Sequence, residues 1–142
     1  MTMTKVVLSA IFIAVAGVAA LKIKSVSAAA EHSQSVALAK AALLDIRVRI
    51  KDGQQIVAFG SNASRAAEVP RLQQLARDTI ALQVPACLGA TKQTLVEATT
   101  LLSSTWVTYT IDQIRFVDAF EKTLPVLDVY RNLPGALATV CL

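Results

Sequence analysis

The chain has 142 residues, 14 Lys and Arg against 10 Asp and Glu, 54% hydrophobic residues and a mean hydropathy of +0.54. That length fits one domain, and so apolar a chain is not an intrinsically disordered one. Two cysteines and one histidine exclude a zinc site built from Cys and His alone, and no C-x-x-C motif occurs.

The opening residues read as an export signal. Lys5 precedes an apolar run from Val6 to Leu21 that is interrupted only by Ser9 and Gly17, and Ala28-Ala29-Ala30 follows shortly after. A basic start, an apolar middle and small residues at the end are the parts of a cleavable secretory signal peptide, here residues 1–30. Val26 and Ala28 suit cleavage after Ala28, and the next two bonds are also flanked by small residues. The alternative is an anchor through residues 6–21. That run spans about 24 Å as a helix, against a hydrocarbon core of about 30 Å. Both readings send the chain across a membrane, to a periplasmic or extracellular location, and cleavage leaves no stable membrane insertion.

Cleavage also changes the charge. Lys5, Lys22 and Lys24 leave with no acidic residue, so the formal net charge of +4 falls to +1. Nucleic-acid binding needs a concentrated basic footprint, and none remains.

Residues 31–142 are expected to form a single all-α domain. A first helix is predicted over 33–59, because Val36, Ala39, Leu43, Ile46, Ile50 and Val57 recur at helical spacing. Ser33 or Ser35 can cap its start and Gly60 its end, with Gly53 a weak point. A loop over residues 60–64 leads to a second helix from about Ser64 to Leu82. Pro70 favours an ordered start nearer residue 68.

The third helix is predicted from Cys87 to Lys122, on the sevenfold series Leu88, Leu95, Leu102, Tyr109 and Phe116. The Thr-rich segment 99–110 has strand-like propensity, yet no second strand-like segment exists to pair with it. Leu124-Pro125 is read as an interruption, Val126–Leu133 as a short last helix, and Pro134-Gly135 as its stop. The expected fold is an antiparallel helical bundle of three long helices plus a short C-terminal helix.

Cys87 and Cys141 most simply form one disulfide in an oxidising compartment, the alternative being a bridge between chains. A straight third helix of about 52 Å, a helical return of under about 30 Å and this disulfide cannot coexist. A bend or break near 103–110 and a partly extended tail resolve the conflict.

Catalytic constellations are sparse. His32 is the only histidine, so no catalytic triad forms within one chain. Cleavage after Ala29 would create an Ala-Glu-His terminus able to bind Cu(II), a remote route to a metal; otherwise no cofactor or metal site is expected. Asp112, Asp118 and Glu121 could serve a hydrolase, although Arg115 and Lys122 offer them simple ion pairing. Asn62-Ala-Ser64 matches a glycosylation acceptor and equally shapes a turn. Trp106, Tyr109, Phe116 and Phe120, with Arg115 beside them, could line a site for a small apolar or anionic ligand, or pack as ordinary core. The leading expectation is a non-catalytic contact module with a protein partner; the second is a carrier of a small apolar ligand.

Overall fold

A computed structural model describes the backbone of residues 3–112 and 114–142 and the side chains of residues 27–112 and 114–142. Most of the expected export signal therefore lies outside the residues whose side chains are described. The chain divides into two units, Met1–Ser35 and Val36–Leu142. The first is helical from Met3 onward. The second is built from the C-terminal part of α1 (Met3–Phe59), α2 (Asn62–Ala81), a single 3-10 turn at Ala86–Leu88, α3 (Gly89–Asp112) and α4 (Phe116–Thr139). Among the described residues no strand occurs, and no helix is long and apolar enough to cross a membrane.

The four helices of the second unit pack around one core. All six apolar positions predicted for the first helix are buried, and Leu43, Ile50 and Val57 are fully so. Leu72 and Leu75 of α2, Leu95, Leu102 and Trp106 of α3, and Ala119 and Val126 of α4 complete the interior. Antiparallel neighbours are fixed by side chains that reach across. Arg49 of α1 pairs with Asp78 of α2, Tyr109 of α3 donates to Asn62 of α2, and Gln54 of α1 donates to Thr123 of α4.

Two helix starts differ from the sequence expectation, while the predicted end of the first helix at residue 59 holds. The first helix does not begin at a serine cap: Ser35 Oγ donates instead to the His32 carbonyl, back within a continuous helix. Gly53 does not end it, because the missing side chain makes room for α2; a Cβ there would stand 2.7 Å from Leu72 Cδ2. The second helix begins at Asn62 rather than near 68. Ser61 Oγ caps it by accepting from the Ser64 amide, and the helix carries Pro70 within its length.

The larger correction concerns the C-terminal third. The expected 36-residue third helix stops at Asp112, and a new helix starts at Phe116. The break lies beyond the 103–110 segment expected to yield. In that segment the hydroxyls of Thr108 and Thr110 donate to the Ser104 and Trp106 carbonyls one turn back, so these two threonines are accommodated within the helix. The return is helical from Phe116 to Thr139, and only its last residues are extended, Val140 leaving the helix in an extended conformation just before Cys141. α3 and α4 have 24 residues each, about 36 Å at 1.5 Å per residue, so the chain goes out and comes back by equal lengths. Cys87 and Cys141 thereby meet within the chain, their Cα atoms 5.6 Å apart, in a disulfide.

α4 runs through Pro125 and Pro134, which were expected to interrupt and to stop it. Proline at 134 has no amide to offer the Tyr130 carbonyl four residues back. Arg47 of α1 fills that place: its Nε donates to Tyr130 O at 2.7 Å, and its guanidinium lies 4.0 Å from the Tyr130 ring centroid. A neighbouring helix thus supplies the donor that the proline removes, and the helix continues.

Two outcomes follow. Replacing both cysteines with serine lowers stability by about 4 kcal/mol, the loop-closure figure for this separation, while far-UV circular dichroism stays helical; urea titration measures the loss. Arg47→Met costs about 2 kcal/mol in the native background. In a Pro134→Ala background, where the restored amide can serve Tyr130, the cost drops by about 1 kcal/mol in a double-mutant cycle.

Candidate functional site

The aromatic residues singled out in the sequence come together, but on one another. Trp106 is 0% exposed. Its ring centroid lies 5.2 Å from that of Tyr109 and 5.9 Å from that of Phe116, and Phe116 stacks 6.0 Å from Phe120. The Arg65 guanidinium covers Phe116 at 4.2 Å while its Nε donates to the Val57 carbonyl at the end of α1. These contacts close one end of the bundle. Trp106 lines none of the surface grooves described below.

Arg115 is likewise committed. It occupies the N-cap position of α4 and grips Asp118 with two bonds, Nε to Oδ2 at 3.0 Å and Nη2 to Oδ1 at 2.9 Å. The hydrogen bonds and charge of Asp118 raise the Arg115 pKa above its ordinary value. Asp118 also sits in the first turn, where a carboxylate complements the helix dipole. Among the described residues no three His, Cys, Asp or Glu side chains come together as a metal-binding group.

Two of the grooves on the bundle surface are bordered by α1. Between α1 and α2 lies a groove of about 540 Å³ lined by Arg49, Asp52, Glu68, Arg71 and Gln74 together with the apolar side chains of Ile56, Leu72 and Leu75. Glu68 is buried against it and meets Arg71 at 3.4 Å. At its far end Asp78 accepts from Gln74 Nε2 at 2.6 Å and from Arg49 Nη2 at 3.0 Å. These bonds, that of Gln74 first and Arg49 second, hold the Asp78 carboxyl below its ordinary value of 3.8.

The face between α1 and α4 is apolar. A groove of about 250 Å³ there is lined by Ile50, Gln54, Ala58, Phe120, Leu127 and Tyr130, with Lys51, Gln55 and Phe59 at its α1 side. Phe59 is 88% exposed, and Leu124 of α4 is also exposed. Along α1 the exposed side continues through Val48, 49% exposed, and Leu44, 38% exposed, to Ala41 and Ala37. At 100° per residue these positions fall within an arc of about 60° turned away from the core-facing ridge.

Of the five residues expected to bind ligand, only Phe120 borders this groove, while Tyr109 borders a separate groove of about 430 Å³ with Asn62, Ala66, Thr110 and Ile114. The α1 stripe was not singled out from the sequence. Its signal is a second apolar series, Ala37, Ala41, Leu44 and Val48, running beside the core series. Neither known protein families, nor curated proteins, nor solved structures include a match to this chain.

The Asp78 geometry sets a pH response. A carboxyl with a lowered folded-state pKa contributes stability that is present above its unfolded value, 3.8, and lost as pH falls through the lower folded value. The urea-midpoint difference between the native chain and Asp78→Asn is therefore expected to be small near neutrality, since the group is exposed, and to vanish in that acidic window.

Proposed function

We propose that this is a small exported helical protein that acts by non-catalytic contact, and that the α1/α4 face is its contact surface. The observation that carries the reading is the exposure of Leu44, Val48, Phe59 and Leu124 on one side of a bundle whose largest aromatic residue is sealed in the interior. Large apolar side chains grouped on a surface are characteristic of interaction sites. Export is supported by the intrachain disulfide, since such bonds persist in oxidising compartments, and by the signal-like pattern of residues 1–30.

The α1/α4 groove supports a second reading, a carrier of a small apolar ligand seated between Phe120, Leu127 and Tyr130. Carrier sites enclose most of the ligand in about 300–1,000 Å³, and an open groove of about 250 Å³ does not, which favours contact.

The two readings part under one experiment. Native protein and a Phe59→Asp/Leu124→Asp variant are immobilised and exposed to the contents of the native compartment. Loss of at least tenfold of the retained protein partner in the variant, with unchanged circular dichroism, is the expected result. Equal retention by both removes the proposed surface. Saturable one-to-one binding of an apolar fluorescent probe, abolished by Leu127→Asp, would establish the carrier instead.

A further inference from the structure

We infer that the partner on this face is a second copy of the same chain, the two α1 helices lying side by side in parallel; the inference rests on the contact function proposed above. The exposed stripe alternates steps of four and three: Ala37, Ala41, Leu44, Val48, Lys51, Gln55. That spacing is the seam of a two-stranded coiled coil, with Ala37, Leu44 and Lys51 on one set of positions and Ala41, Val48 and Gln55 on the other. The stripe from 37 to 59 is about 34 Å long at 1.5 Å per residue.

Charge at its two borders selects the occupant and its direction. One border carries Asp45 and Asp52, both exposed and outside any ion pair among the described residues. The other carries Lys40 and Arg47. Lys40 Nζ donates to Val140 O just beyond α4, and Arg47 Nε donates to Tyr130 O within it while its guanidinium lies over the Tyr130 ring; each has further N–H donors.

The stripe therefore presents an acidic edge and a basic edge to whatever covers it. A second copy brings the same two edges. If the two-fold axis runs along the helices, the basic edge of one copy meets the acidic edge of the other. Coiled-coil geometry then sets Lys40 against Asp45 and Arg47 against Asp52 of the second copy, each an offset of five residues. Lys51 points toward Asp52 of the other chain, which offsets the approach of the two lysines. If the axis runs across the helices, each edge meets itself and Asp45 and Asp52 face their own copies. Such edge charges contribute little affinity but decide orientation. The parallel pair is the complementary one.

Sedimentation of the full chain, with single cysteines introduced along the stripe, tests the pairing. The native chain is expected to form a dimer. Val48→Asp should raise its dissociation constant at least tenfold without loss of helical signal, because Val48 is half exposed in the single chain. Leu44→Cys and Gln55→Cys should each give a reducible crosslinked dimer, since parallel pairing sets every seam residue opposite its own counterpart. A chain that stays monomeric at all concentrations overturns the proposal. So does a Val48-dependent dimer in which neither cysteine crosslinks. A monomer that still retains a different protein through Phe59 and Leu124 defeats self-pairing and leaves the contact function standing; a monomer with no such retention defeats both.

Discussion

The equal length of α3 and α4 is the constraint on which the C-terminal half of this fold depends. A helix that left Cys87 and ran on to Lys122 would carry the chain too far for Cys141 to return. By stopping at Asp112 and starting again at Phe116, the chain divides that distance into two matched spans of 24 residues. The matched spans place the two cysteines together, and they also pack Trp106 and Tyr109 against Phe116 at the turning end, the tyrosine edge-on. The aromatic cluster and the disulfide thus sit at opposite ends of one helical pair and secure it from both sides.

A second regularity concerns the ends of the helices. None of the described helices carries a basic residue in its own last turn, although cations there would complement the dipole. The cations come instead from neighbouring elements. Arg65 of α2 donates to Val57 O near the end of α1, Lys92 of α3 to Ile80 O near the end of α2, and Lys40 of α1 to Val140 O beyond α4. Each bond satisfies a carbonyl that the helix cannot satisfy itself, and each joins two elements. Arg47 extends the pattern into the body of α4, where a proline has opened a carbonyl in mid-helix. Polar satisfaction and helix docking are here one act.

Much of the bundle was legible in the sequence. The 3.6-residue periodicity of Val36 through Val57 identified the buried face of α1 residue by residue, and Leu95 and Leu102 did the same for α3, with buried Leu88 in the turn before it. The Thr-rich segment was correctly assigned to helix because nothing could pair with it as strand. What failed was punctuation. Pro125 and Pro134 were read as breaks from local propensity alone, whereas the guanidinium that serves the carbonyl opened by the second lies 83 residues from that carbonyl in the chain. The sevenfold series ran on through Phe116 because its spacing survives the turn, so periodicity could not reveal the break after Asp112. The aromatic cluster was recognised as a group, but composition could not distinguish a lining from an interior. Leu44 escaped notice because it follows the core residue Leu43, and Val48 because it stands between two arginines.

The bonds from Lys40 and Arg47 to α4 have a bearing on how the chain acquires its structure. They link residues 100 and 83 positions apart, so α4 and the residue after it complete their backbone hydrogen bonding only against the first helix of the bundle. Such distant dependence slows nucleation and ties the two ends into one cooperative unit. α4 cannot mature as an independent foldon: amide exchange there should report opening of the α1 contact rather than fraying of the helix alone.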